Sequence, residues 1–274
     1  FRTLGYSAEQ IFHFSYKGLE DRSGAGPYRL HATYTKEDTY KSIVESARQL
    51  REQVTAIHER YPDKQIDLVA HSQGGLVAQY FLTKFYDPKS SEDLEVEHFV
   101  SISSPHYGAD AAGIHEALSG NLQGRISLAQ LNKVAETVGL PPPSSPSTQQ
   151  MATDSDFIHE LNEQWDPARV DTTTISPTLD WVVAPARTRL RGADHYTADL
   201  PGLGTGLFDH GSVVKSENAK GLLYNALADR PSTCTALRNA FADHGVGRLV
   251  SELESSAVDA LEIATMLSPL GSVP

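Results

Sequence analysis

The residues around Ser72 leave few ways to fold the chain around them. The apolar strand pattern Gln65–Ala70 and His71 lead into it, and Gln73-Gly74-Gly75-Leu76 opens a helical pattern with Leu76, Val77, Tyr80, Phe81 and Phe85 on one face. Strand, small-x-Ser-x-Gly and helix together put a serine on a tight, strained turn with its hydroxyl clear of its neighbours. The residues two before and two after it must be small, because strand and helix meet there. Ala70 and Gly74 meet this need, and Gly75 relieves crowding further. The helix N-terminus beside Ser72 favours developing negative charge. A Ser-Gly turn in an ordinary βα unit is the bland alternative; the flanks favour a nucleophile.

Apolar strands and amphipathic helices alternate along the chain. Ile11–Tyr16 reads as a buried strand ended by Gly18. The spacing of Ile43, Val44, Ala47, Leu50, Val54 and Ile57 predicts one long helix from about Lys36 to Arg60, with Thr35 and Asp38 as a capping pair and Pro62 beyond its end. Further strands are expected at Glu97–Ser103 and Val170–Ser176, and one around His195. A helix is expected over about 212–228, with Val213, Val214, Leu222, Leu223 and Ala226 inside. This pattern predicts an α/β fold: a doubly wound, mostly parallel sheet with helices on both faces. In such sheets the site forms at the carboxyl ends of the strands.

Residues 106–165 interrupt the alternation with weak helices and the run Leu140-Pro141-Pro142-Pro143-Ser144-Ser145-Pro146-Ser147, which fits no core element. They read as a surface insertion or as a cap over Ser72 built partly from Leu128–Val138. The expected layout is a core over 1–232 containing that insertion, and a helical extension over 233–274.

Bulk properties narrow the function. A net charge of −12 and a pI near 5.3 argue against nucleic-acid binding and against a generally basic membrane-binding surface. A local apolar patch could still make transient contact with lipid. No stretch approaches the roughly 20 apolar residues of a membrane span. Cys234, the single cysteine, excludes an internal disulfide and a thiolate cluster, which fits a secreted and a cytoplasmic protein equally. The first residue, Phe1, suggests a processed product or an excised domain.

A serine hydroxyl needs a base, and the base needs an anion to orient it. His210, in the glycine-flanked run Phe208-Asp209-His210-Gly211, is the preferred base, and Asp180, at the end of a strand, the preferred acid. His195 is the runner-up base, and Asp194, Asp199 and Asp171 are alternative acids. Asp209 adjoins His210, but loop neighbours seldom face each other. His71 is expected to line the pocket, His106 to lie near the site, and His13 to pack in the core. His31, His58, His98, His115, His159 and His244 read as surface residues. The histidine spacings suggest no metal, and the chemistry needs no cofactor.

These motifs resemble the α/β-hydrolase superfamily, in its lipase and esterase branch. Ala-His-Ser-Gln-Gly-Gly at 70–75 resembles the nucleophile elbow of bacterial lipases. Ile102-Ser103-Ser104-Pro105-His106-Tyr107-Gly108 resembles the segment after the next strand in lipases and inositol-deacylase-like hydrolases. Gln150-Met151-Ala152 with Phe157-Ile158-His159-Glu160-Leu161-Asn162, the acid loop Leu179–Val183, and Asp209-His210 extend the likeness to about residue 228. The resemblance implies an acyl-transfer site in which the Gln73 N–H is one oxyanion donor. A second donor usually comes from a loop after one of the family's first core strands. Those strands should lie before Arg2-Thr3-Leu4-Gly5-Tyr6 and are not found in the chain. Losing one donor typically costs on the order of 10²–10³ in rate. The reading is a serine carboxylic ester hydrolase acting on a small-molecule or lipid ester. Alternatives are a thioesterase or inositol-type deacylase of the same fold, or a non-catalytic binding module. Neither the natural substrate nor the oligomeric state is encoded in these motifs.

Overall fold

The computed structural model describes residues 6–19, 32–89, 95–109, 142, 144–178, 180, 182–198 and 209–230. Among these residues four strands form one sheet in the order β1 (Ile66–His71), β2 (Val96–Ile102), β3 (Asp171–Pro177) and β4 (Asp194–Ala198), and every neighbouring pair is parallel. Helices α1 (Ile43–Arg60), α2 (Gln73–Lys84), α3 (Pro146–Met151) and α4 (Asp156–Gln164) precede β3. The four-residue α5 (Asp209–Ser212) and α6 (Glu217–Ala226) follow β4.

Alternation along β2 sends side chains to two cores. Phe99 packs with Ile43, Leu50, Leu76, Phe81 and Leu161, from α1, α2 and α4. Val100 and Ile102 pack with Ile175, Val213, Ala219 and Leu223 on the face covered by α6. The doubly wound expectation therefore holds. Arg169 donates to the carbonyls of Leu82, in the last turn of α2, and of Tyr86, just beyond it.

Several expectations need correction. Residues 11–16 form no strand, and Tyr16 opens a turn closed by the Gly18 N–H on the Ser15 carbonyl. Ser15 instead exchanges two hydrogen bonds with the Gln53 side chain, its N–H donating at 3.0 Å and its carbonyl accepting at 3.0 Å, so the segment lies on α1. His13 is exposed there rather than packed. The long helix divides into a 3-10 turn at Lys36–Tyr40 and α1, because Ser42 is extended and its Oγ accepts the Glu45 N–H as a new N-cap. The Thr35–Asp38 box caps the 3-10 turn. The helix expected over 212–228 begins only at Glu217, with Ser216 as its cap, and Val214 on the preceding turn is 39% exposed.

His98 is buried, not on the surface. Its Nδ1 lies 2.8 Å from Asp67 Oδ1 and its Nε2 3.2 Å from Asp229 Oδ1, so both ring nitrogens face carboxylate acceptors, which favours the protonated ring. Burial pulls its pKa down, but the two hydrogen bonds outweigh that and hold it above the ordinary value.

Within the interruption at 106–165, α3 and α4 pack on α1 and α2. The Gln150 side chain accepts the Ile43 N–H at the start of α1. Leu128–Val138 and the extension at 233–274 lie outside the described residues.

Candidate active site

Ser72 follows directly on β1, and its backbone (φ 54°, ψ −132°) is in a region that non-glycine residues rarely adopt. Its N–H donates to the Ile102 carbonyl at 2.9 Å, so the β1–β2 ladder holds the turn. Gln73 is the first residue of α2, where N–H groups lack intrahelical acceptors. The Gln73 side chain is buried and donates to the Thr39 carbonyl at 2.9 Å, which fixes the start of the helix.

The close approach of strand and helix lies at Gly75 more than at Gly74. A Cβ on Gly75 would fall 2.1 Å from Ser104 Oγ, 2.4 Å from Ser104 Cβ and 2.8 Å from Ser101 Oγ. On Gly74 it would meet only ordinary contacts at 3.8 Å and beyond. Gly75→Ala is therefore expected to cost about 1–3 kcal/mol through overpacking, whereas Gly74→Ala stays within about 1 kcal/mol. Thermal unfolding of the two variants distinguishes them, and equal losses would contradict this account.

The structure brings Ser72, His210 and Asp180 together. The Ser72 hydroxyl donates to His210 Nε2 at 2.8 Å, and His210 Nδ1–H donates to Asp180 Oδ2 at 2.8 Å. His210 lies on α5, not in an open loop, and is 7% exposed. Asp180 is fully buried in the chain following β3. Its Oδ1 accepts the N–H groups of Val182 and Val183 at 2.9 and 3.0 Å. Three donors thus satisfy a carboxylate that would otherwise be costly to bury.

The other candidates lie elsewhere. His195 sits within β4, and its ring nitrogens hydrogen-bond Thr174 Oγ1 (2.8 Å) and Ser176 Oγ (3.4 Å) on β3. Asp171 and Asp194 open β3 and β4, at the opposite ends of the strands from Ser72. Asp199 lies outside the described residues. His106 is fully buried in a closed network: it donates from Nδ1 to Gln79 Oε1 and accepts at Nε2 from Ser101 Oγ, each at 2.8 Å. Burial pushes its pKa down to about 3. His71, the residue before Ser72, donates from Nε2 to the His210 carbonyl at 2.8 Å. Sequence reasoning places His71 near the pocket but misses this bond, since only a folded chain sets position 71 against position 210.

A four-strand parallel sheet, a strained serine after its first strand and a buried histidine–carboxylate pair behind that serine frame the comparisons with known proteins. Residues 26–137 match the family model "Putative serine esterase (DUF676)". No curated protein matches. Among solved structures, phospholipase PlaB from Legionella pneumophila superposes over 86% of this chain and 56% of its own, with 13% identity and a TM-score of 0.51. The chain has the α/β-hydrolase fold. It spans little more than half of PlaB, so the likeness concerns the fold alone. Lipase BlEst2 from Bacillus licheniformis, in mature form, is 17% identical over 67% of this chain and 73% of its own, with a TM-score of 0.48. The match over residues 26–137 is a likeness to a serine esterase family, and the structural likeness adds the fold alone. Among the described residues of this hydrolase-fold chain, no helix is long and apolar enough to cross a membrane.

Proposed function

We propose that the chain is a serine carboxylic ester hydrolase that works through an acyl-enzyme on a lipid-like or other acyl ester. The observation that carries this reading is the continuous relay from Ser72 through His210 to Asp180, with both links at 2.8 Å. Ser72 Oγ bonds to the ester carbonyl carbon while its proton passes to His210 Nε2. Asp180 keeps the Nδ1 proton in place and offsets the imidazolium charge. The Gln73 N–H, at the start of α2, faces the developing oxyanion. Collapse of the tetrahedral intermediate breaks the bond to the alcohol, which leaves with the proton from His210. Water then repeats the sequence: its proton passes to His210, its oxygen bonds to the acyl carbon, and Ser72 departs with that proton. The products are one carboxylate and one alcohol.

Steady-state and rapid-mixing assays with p-nitrophenyl esters of increasing chain length, beside matched acyl thioesters, test it. The expected result is an initial burst of p-nitrophenol stoichiometric with protein and a preference for esters. Turnover of thioesters alone would move the assignment to a thioesterase. No turnover of any acyl substrate would favour a binding module.

A further inference from the structure

His71 is the last residue of β1 and Ser72 the next, so a single strand end carries both the serine and the ring that touches the His210 backbone. His210 stands on a four-residue helix, too short to hold itself by its own hydrogen bonds. Its ring already spends both nitrogens on Ser72 and Asp180. The position of its main chain must therefore be set by other groups. His71 Nε2 lies 2.8 Å from the His210 carbonyl oxygen, and the two rings lie 4.9 Å apart, tilted by 43°.

We propose that His71 is a positioning residue: its Nε2–H donor ties the His210 backbone to the end of β1, fixing where the base's ring meets Ser72. The inference rests on the hydrolase reading for its kinetic consequence.

A carbonyl only accepts, so the proton must sit on Nε2 and the neutral ring leaves Nδ1 bare. Burial, and then the nearby His210, push the His71 pKa down to about 4, against smaller upward pulls from the His210 carbonyl and Asp180. His210 and Asp180 are thus the titrating groups that face it. A neutral His71 matters for turnover, because a second cation beside His210 would oppose formation of the imidazolium.

Two variants separate the donor from the ring. His71→Phe keeps a ring and removes the N–H, and His71→Gln returns an N–H at similar reach. On p-nitrophenyl butyrate, His71→Phe is expected to lower kcat by ~10–100-fold, as a displaced base does, with KM changed by no more than about twofold. His71→Gln should recover most of that loss. The low-field N–H proton of His210, assigned through its loss in His210→Ala, should weaken in the Phe variant and return in the Gln variant. Wild-type kcat in His71→Phe, or no recovery in a folded His71→Gln, would overturn the proposal. Should His71→Phe not fold, nitrogen NMR of the wild-type protein decides. A neutral His71 protonated at Nε2 supports the tether, and the Nδ1-protonated form or an imidazolium near neutral pH overturns it. The NMR readings do not require turnover, so an inactive wild-type protein would count against the hydrolase reading and not against the tether.

Discussion

His210→Ala is expected to reduce kcat/KM on an activated ester by on the order of 10⁴-fold or more, while His195→Ala leaves it within a few-fold. The difference follows from where each ring sits. His210 Nε2 accepts the Ser72 hydroxyl, and a buried carboxylate with two backbone donors of its own orients its other nitrogen. His195 spends its ring on Thr174 and Ser176 within the sheet. In the proposed relay Ser72 and His210 act as one unit, so the Ser72→Ala, His210→Ala double variant should be scarcely worse than either single variant. Additive losses, or loss through His195→Ala instead, would contradict the relay.

Acid is expected to unfold the protein well before its carboxylates are all protonated. His71 and His106 are held below the ordinary histidine value, at about 4 and about 3, by burial first of all. In the unfolded chain each takes up a proton near pH 6.5, whereas in the folded chain each resists until the lower value. Their contribution is complete above about pH 6.5 and is lost as pH falls toward the folded values, on the order of 3 kcal/mol each by about pH 4. His98 acts in the opposite direction. Held above its ordinary value between Asp67 and Asp229, it stabilises the fold at low pH and ceases to do so as pH rises through its folded pKa. Denaturant unfolding from about pH 7 to about pH 4 checks the sum, which should fall. His106→Gln should lower stability near neutrality, because it breaks the Gln79–His106–Ser101 network, yet flatten the pH dependence. A variant with the same acid slope as the wild type would show that His106 is not responsible.

Local chemistry alone makes the elbow legible. Ala70, Ser72 and Gly74 lie between a strand and a helix of clear periodicity, and β1, β2, β3 and the body of α1 follow from apolar spacing. Asp180 and His210 stand out by their places after a strand and before the last core helices. The readings that fail depend on partners distant in sequence. Ile11–Tyr16 has the composition of a strand, but Gln53 claims the backbone of Ser15. His98 looks like a surface histidine until Asp67 and Asp229 close on it from 31 and 131 residues away. The tight glycine is Gly75, because Ser101 and Ser104 of the neighbouring strand end lie against it. The break at Ser42 is a local exception. Its capping side chain is plain in the sequence, but the apolar period runs past it.

The central claim is that Ser72 is a nucleophile activated by His210, and a fluorophosphonate probe tests it most directly. Such a probe forms a covalent bond only with an activated serine and releases fluoride. Mass spectrometry of the labelled protein should find one adduct per chain, on the peptide containing Ser72. Labelling should be absent in Ser72→Ala and strongly slowed in His210→Ala. A wild-type protein that takes up no label, or an adduct on any residue other than Ser72, would contradict the account.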